Sequence, residues 1–235
     1  MNGNSSECVL ITGANRGIGL GLVTEFLKQR YQVIATCRNP NEADLLQNLK
    51  SQYINQLQIE KLDVTDSDDF AVLSKKIANL KIDILINNAG IFPENHSQDG
   101  IKKTLPDQLM SAFNINTAGA FRAIQAFLPN LQQSINPRII NLSSLMGSLY
   151  HAKGFGYSYR MSKVALNMLT RSFAAENHDI ITISLRPGWV KTEMGGSGAN
   201  IAIAESASKI ISLIENLQLI DSGSFIDYNK TPTEW

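Results

Sequence analysis

Tyr159 and Lys163 stand four residues apart in the segment GYSYRMSKVALNMLTRS, and this pair could transfer a proton. Residues i and i+4 of a helix share one face, so the phenol and the ammonium would lie side by side. Free tyrosine titrates near pH ~10, and a lysine that stays cationic beside it lowers the pKa of the phenol. Such a tyrosine could protonate an oxygen as a carbonyl is reduced, or take the proton back. On its own, the pair is more often an exposed tyrosine and lysine on an amphipathic helix.

A glycine-rich segment, TGANRGIGLGL, follows the first predicted strand and could bind phosphate. Gly13 permits a sharp turn, Gly17 lets the backbone approach a ligand, and Gly19 lets the next helix pack closely on a sheet. The N-terminus of that helix presents free N–H groups and a partial positive charge, which suit a pyrophosphate. The spacing TGxxxGxG differs from GxGxxG and no GK[ST] follows, so the segment is not an ATP-type P-loop.

Two arginines near this turn favour NADP over NAD as a cofactor. Folds that bind NAD usually end the second strand with an acidic residue, which holds the ribose 2′-hydroxyl. Cys37 and then Arg38 stand at that place, and Arg16 lies inside the glycine turn. Guanidinium groups bind phosphate with two hydrogen bonds, so this pair favours a 2′-phosphate. The alternative is that both are ordinary surface arginines.

Strand-like apolar runs alternate with helix-like stretches along the chain. The predicted strands are 8–12, 32–37, 57–64, 82–89, 138–144, 180–187 and 223–228, and the predicted helices are 17–30, 41–52, 66–80, 107–131, 157–176 and 202–217. Thr104 and Asp107 have the spacing of a capping box before the long helix, with Pro106 in its first turn. Continuous apolar strands separated by helices predict a doubly wound, seven-stranded parallel sheet with helices on both faces, a Rossmann fold.

No Pro/Gly/Ser-rich linker divides the chain, so we expect one domain over residues 1–235. The segment 189–201 contains KTEMGGSGAN, which has three glycines and few apolar anchors. It follows the C-terminal end of a predicted strand, which makes it a candidate mobile lid over a site. An ordinary surface loop is the alternative.

Lys plus Arg and Asp plus Glu number 21 each, so the formal net charge is zero and neither nucleic acid nor a membrane is expected as a partner. No apolar run is long enough to cross a bilayer. The segment MNGNSSE lacks the apolar stretch of a secretion signal, which predicts a cytoplasmic location. Cys8 and Cys37 lie in predicted strands and are expected to be free thiols. His96, His151 and His178 have no metal-ligand spacing, so no metal is expected.

Four motifs together resemble the short-chain dehydrogenase/reductase family in order and spacing. They are TGANRGIG, NNAG at 87–90, Tyr159-x-x-x-Lys163 and RPGWVKT at 186–192, and the resemblance covers nearly the whole chain. The segments TCRNP, YSYRMSKVALN, PGWVKTEMGG and SGSFIDYNKTPTEW are similar to the sniffer-like and C-factor-like carbonyl reductases of that family.

The resemblance implies a catalytic set of Asn116, Ser144, Tyr159 and Lys163. Asn116 would bend the long helix and hold a water that relays protons. Ser144 is preferred to Ser143 because the family's catalytic serine is usually the second in NLSS. Its spacing to Tyr159 is two residues longer than is common in the family, so the loop between them is unusual.

The resemblance also implies which residues bind the cofactor. The phosphates would be held by the glycine turn and the end of the second strand, and the adenine by the segment after the third strand. NNAG and the Tyr–Lys pair would bind the ribose. The segment after the sixth strand would bind the nicotinamide carboxamide. In chain order these are Gly13, Asn15, Arg16, Gly17, Ile18, Gly19, Arg38, Asp63, Val64, Asn88, Ala89, Gly90, Tyr159, Lys163, Pro187, Gly188, Val190 and Thr192. Asn87 is expected to tie strands together instead.

These roles predict an oxidoreductase that uses NADPH to reduce a ketone, aldehyde or quinone to an alcohol. One alternative is an NADP(H)-binding signalling or regulatory protein with little turnover. Another is a different reaction on the same fold, such as reduction of an acyl-carrier 3-ketone. The family often forms dimers through the long helix and the Tyr–Lys helix, so we expect a homodimer or a higher homo-oligomer. The apolar stripe VALNMLTRSFAAE could equally be only the core face of its helix.

Overall fold

The computed structural model describes residues 7–94 and 100–235, and within them seven strands form one parallel sheet. The sheet order is β3-β2-β1-β4-β5-β6-β7, so the direction of winding reverses between β1 and β4. The strands are β1 (Cys8–Ile11), β2 (Gln32–Cys37), β3 (Leu57–Lys61), β4 (Ile84–Asn87), β5 (Arg138–Leu142), β6 (Ile181–Arg186) and β7 (Phe225–Asp227). The predicted doubly wound parallel sheet is confirmed.

Helices connect the strands and cover both faces of the sheet. They are α1 (Gly17–Lys28), α2 (Asp44–Gln52), α3 (Ser67–Lys76), α4 (Pro106–Phe113), α5 (Gly119–Leu131), α6 (Tyr157–Glu176) and α7 (Ile203–Glu215). Short 3₁₀ turns occupy Pro40–Glu42, Leu145–Gly147 and Leu219–Asp221. Among the described residues, no helix combines the length and the apolar composition required to span a bilayer.

Alternating side chains of the central strands build two cores. Val9 and Ile11 of β1 point to one face, where α1 and α7 bury side chains such as Phe26. Leu10 points to the other face and packs with apolar residues of α3, α5 and α6, including Phe127. Successive side chains of a strand point to opposite faces, so strands buried on both sides must be apolar throughout. This is why the strands read as continuous apolar runs.

Most predicted strands extend beyond the observed ones at their C-terminal ends; these are 8–12, 57–64, 82–89, 138–144, 180–187 and 223–228. The residues concerned leave the sheet and form the loops described below. Cys8 and Cys37 are free thiols, as expected.

The helix predicted over 107–131 is interrupted. A π-helical turn at Asn114–Ala118 separates α4 from α5, and it contains Asn116, the residue that the family resemblance implied would bend the helix. The predicted capping box is wrong: α4 begins at Pro106, which makes Leu105 the N-cap. Gln108 Oε1 accepts a hydrogen bond from Leu105 N at 2.9 Å, while Thr104 Oγ1 donates to Gly100 O at 3.3 Å.

Candidate active site

The glycine turn and the NNAG segment lie side by side at the C-terminal edge of β1 and β4. Asn88 Nδ2 donates to Thr12 O and to Gly13 O, each at 2.8 Å. The Thr12 hydroxyl in turn accepts hydrogen bonds from the N–H groups of Asn88 and Ala89, both at 3.1 Å. Gly13 has a φ of +64°, and a Cβ on it would lie 2.9 Å from Ala89 Cα, so only glycine fits. The side chain of Asn88 therefore supports the turn.

The N-terminus of α1 is open toward this edge. Arg16 is the N-cap residue, and no side chain caps the helix. Gly17 opens the helix with a φ of +56°, and a Cβ on Gly19 would lie 2.5 Å from both Asn88 Nδ2 and Gly13 O. The turn is thus a cradle of glycine backbone in front of unpaired helix N–H groups, the arrangement that binds a pyrophosphate.

The ends of β2 and β3 lie beside the turn and offer a place for an adenosine. Cys37 is buried, Arg38 is exposed, and Arg16 forms an ion pair with Glu193. Asp63 Oδ1 accepts hydrogen bonds from the N–H and the hydroxyl of Thr65 at 2.9 and 2.7 Å. With two arginines and no acid at the end of β2, these residues and the open cradle fit NADP(H) better than NAD(H).

Ser144 and Tyr159 meet beyond the end of β5. Ser144 begins the 3₁₀ turn Leu145–Gly147, and its Oγ accepts a hydrogen bond from Met146 N at 3.2 Å. It also lies close enough to Tyr159, in the first turn of α6, to lower the pKa of the phenol. Ser143 points elsewhere, since its Oγ donates to Asn167 Oδ1 at 2.7 Å inside the protein. Only Ser144 of the two serines is thus placed beside the tyrosine.

Lys163 is buried one helical turn beyond Tyr159. Its Nζ donates to Leu142 O at 2.7 Å and lies 5.6 Å from the centre of the Tyr159 ring. Burial lowers the pKa of Lys163 to about 8. Burial also raises the pKa of Tyr159 to about 12, and Ser144 opposes this rise with a smaller lowering of the pKa. The Tyr159 residue as a whole is half-buried.

The pKa of Tyr159 thus lies above its usual value, and the expected lowering by Lys163 is not among the causes of the shift. Desolvation of the phenolate dominates, while the Lys163 ammonium lies over the ring and binds a backbone carbonyl. The phenol keeps its proton at neutral pH, which is the state required of a proton donor.

Asn116 is fully engaged as a donor. Its Nδ2 donates to Ile91 O and to Ser162 Oγ, both at 2.9 Å, and its Oδ1 accepts from Ile91 N at 2.8 Å. Ser162 Oγ in turn donates to Tyr159 O at 2.8 Å. Asn116 thus links the loop after β4 to the helix that carries Tyr159 and Lys163, and its side chain can only accept a further hydrogen bond.

The contacts of the loop that follows NNAG were not predicted from the sequence. The Phe92 ring packs against the Tyr159 ring with centres 4.9 Å apart. Glu94 is 6% exposed, and its Oε1 accepts from Ser158 N at 2.6 Å in the first turn of α6. Gln108 Nε2 donates to Pro93 O at 3.0 Å. The position of Ser162, three residues after Tyr159 on one helix face, could have indicated its contact with the site. Nothing in the spacing of Phe92 or Glu94 indicated their contacts.

The lid segment 189–201 is a compact loop beside the glycine turn. Val190 and Ile201 form a β-bridge, and Trp189 Nε1 donates to Gly195 O at 2.8 Å. Thr192 approaches the turn, since a Cβ on Gly17 would lie 3.5 Å from its methyl group. Pro187 O accepts from Ser206 Oγ of α7 at 2.8 Å, which holds the start of the segment against the fold. Gly188 has a φ of +84°.

Residues 7–200 match the family described as short chain dehydrogenase. The chain belongs to the short-chain dehydrogenase family. The carbonyl reductase Sniffer of D. melanogaster is a structural neighbour of this short-chain dehydrogenase, with a TM-score of 0.92 and 33% identity over 98% of this chain and 100% of Sniffer. An NADPH-bound carbonyl reductase from chicken fatty liver has a TM-score of 0.88 and 35% identity over 98% of this chain and 99% of its own. C-signal of Myxococcus xanthus is 37% identical over 161 residues, which are 66% of this chain and 93% of C-signal.

In this short-chain dehydrogenase, the structure gathers the residues predicted for catalysis and for cofactor binding at one edge of the sheet. Asn87 is an exception that the sequence predicted: its Nδ2 donates to Asn141 Oδ1 at 2.8 Å, which ties β4 to β5. Within the described residues, no group of histidine, cysteine and carboxylate side chains could hold a metal ion. His96 lies outside those residues.

Proposed function

We propose that this short-chain dehydrogenase uses NADPH to reduce a carbonyl compound to an alcohol. The observation that carries the proposal is the convergence of Ser144, Tyr159 and buried Lys163 beside an open glycine cradle. Arg16 and Arg38, together with the absence of an acid at the end of β2, support NADP(H). So does the neighbour from chicken fatty liver, a carbonyl reductase with bound NADPH. When bound at this edge, NADPH supplies the hydride for the carbonyl carbon.

The protein's own residues handle the carbonyl oxygen. Ser144 Oγ accepts from Met146 N, and its hydroxyl hydrogen can turn from Tyr159 to the substrate oxygen, where it stabilises the charge that develops. Tyr159 then delivers its proton to the same oxygen. Lys163, mostly cationic below pH 8, holds the cofactor ribose. Asn116 holds this arrangement together, and the water relay that its position implies supplies the next proton.

The matched pair Tyr159→Phe and Tyr157→Phe tests this role. Both tyrosines lie in the first turn of α6, but Met161 stands four residues after Tyr157 where Lys163 stands after Tyr159. We expect Tyr159→Phe to lower kcat for carbonyl reduction at least ~10²-fold, because the proton donor is lost, and Tyr157→Phe to keep near-native turnover. The measurement is NADPH consumption against dicarbonyls, quinones and aldehydes. Undiminished reduction by Tyr159→Phe would overturn the proposal.

The similarity to C-signal favours one second candidate, a protein that binds NADP(H) and acts as a signal or regulator with little turnover. The chain has all four residues expected to form the catalytic set, which supports turnover. Tight NADPH binding without consumption across the same panel of carbonyls would favour this alternative.

A further inference from the structure

Arg16 and Glu193 join the glycine turn to the lid. They lie 177 residues apart in the chain, and their side chains form an ion pair across the edge of the site, with exposed fractions of 66% and 80%. Arg38, the other arginine expected to bind a 2′-phosphate, has no ion-pair partner among the described residues. The two arginines therefore differ: one is available to a ligand and the other is already engaged.

The position of Glu193 follows from the folding of the lid on itself. Gly195 N donates to Thr192 Oγ1 at 3.0 Å and Gly196 N donates to Thr192 O at 3.1 Å, so Glu193 lies within a tight turn. The β-bridge between Val190 and Ile201 closes the loop behind it. From this turn the carboxylate of Glu193 reaches Arg16 in the glycine turn.

The Glu193 carboxylate occupies Nη1 of Arg16, and its negative charge would repel a phosphate that approached the same guanidinium. A 2′-phosphate would lie near the end of β2, where Arg38 stands, whereas Glu193 belongs to the segment 189–201. We propose that Glu193 competes with the 2′-phosphate of NADP(H) for Arg16, so that Glu193 weakens NADPH binding selectively and phosphate binding releases the lid from the turn. This inference rests on the NADP(H) preference proposed above.

Equilibrium binding of NADPH and NADH, measured by their fluorescence at low salt, tests the competition without turnover. Exposed ion pairs are weak, so we expect Glu193→Gln to lower the Kd for NADPH by roughly two- to five-fold and to leave the Kd for NADH unchanged. The gain should shrink at high salt, which screens exposed charges. In an Arg16→Gln background, Glu193→Gln should have no further effect, since the shared partner is gone.

Glu205→Gln is the matched control. Glu205 is half exposed and pairs with Lys209 on α7 at 3.1 Å, so this substitution changes the net charge equally without touching Arg16. An equal gain in Glu205→Gln would show a general charge effect and overturn the inference. So would an unchanged Kd for NADPH in Glu193→Gln, or equal gains for NADPH and NADH. If the native chain binds neither dinucleotide, the proposed cofactor is contradicted as well. The binding of NADPH by the native chain therefore distinguishes failure of the proposed function from failure of this inference.

Discussion

Burial acts on the two central side chains in opposite directions. It raises the pKa of Tyr159 to about 12 and lowers the pKa of Lys163 to about 8, because both shifts favour the neutral form. The tyrosine is therefore protonated over the physiological range, while the lysine begins to lose its charge just above it. The phenol therefore holds the proton that the proposed reduction requires it to give up.

The lowered pKa of Lys163 predicts a pH dependence of stability. In the unfolded chain, lysine titrates near ~10.4, so between about pH 8 and that value the unfolded state holds a proton that the native state has lost. The free energy of unfolding contributed by Lys163 should then rise with pH, by at most ~1.4 kcal/mol per pH unit. We expect the native chain to gain stability relative to Lys163→Met between pH 8 and 10.

The check is urea unfolding of both proteins from pH 7 to pH 10. Burial also raises the pKa values of Cys8 and Tyr31, but their effects cancel in the difference between the two proteins. Lys209→Met, which removes an exposed lysine, should show no such pH dependence. A constant difference between the native chain and Lys163→Met over this range would contradict the burial of an uncompensated ammonium.

The Tyr159 and Lys163 pair could be predicted from the sequence because helix geometry places residues four apart together. The direction of the tyrosine pKa could not, since it depends on how far the surrounding protein excludes water. Glu94 escaped prediction for a similar reason: it contacts Ser158, 64 residues away, and only the folded loop brings them together.

Among the helices, the π-helical turn between α4 and α5 forms the contact with α6. The turn at Asn114–Ala118 places the side chain of Asn116 against α6. There Asn116 Nδ2 donates a hydrogen bond to Ser162 Oγ. Thr117 Oγ1 adds a second link by donating to Ser162 O at 2.8 Å. An amphipathic pattern over 107–131 predicts one helix, because the single additional residue in a π turn barely disturbs the period. The break was indicated only by the family resemblance.

Two buried serines of α6 allow this contact to be tested. Ser162→Ala would leave an amide hydrogen of Asn116 buried without a partner, and we expect it to lower the free energy of unfolding by ~1–3 kcal/mol. Ser158→Ala should change it little, because the Ser158 hydroxyl is buried with no partner of its own. Denaturant unfolding of both variants measures the difference. Equal losses of stability would show that the link to the π turn contributes nothing.

On the scale of the whole molecule, apolar side chains remain exposed on the helices around the site. Met110 and Phe113 of α4, Phe121 of α5, and Met161 and Met168 of α6 are all exposed. Exposed apolar patches of this kind mark surfaces that bind other proteins. They agree with the expectation, drawn from the family resemblance, that two copies of the chain pair through the long helix and α6.

Light scattering at micromolar concentration tests that proposal. We expect the native chain to show twice the 25.9 kDa mass of one chain, and Met168→Glu to shift the population to monomer, because a charge buried in an apolar interface is costly. Ile220→Glu is the control, since Ile220 is 88% exposed beyond the end of α7. A monomer mass for the native chain would contradict the dimer.

The sheet order also bears on how the chain folds. β1 pairs with β4 in the register Val9↔Ile84, across 75 residues of chain, and the same pairing brings the glycine turn against NNAG. A ribosome can release β1, α1 and β2 early, but the central pair of strands cannot close until β4 has emerged. Closing so long a segment is slow compared with local helix formation. The cofactor cradle therefore becomes complete only after this long-range step, and a nascent chain cannot use its glycine turn before then.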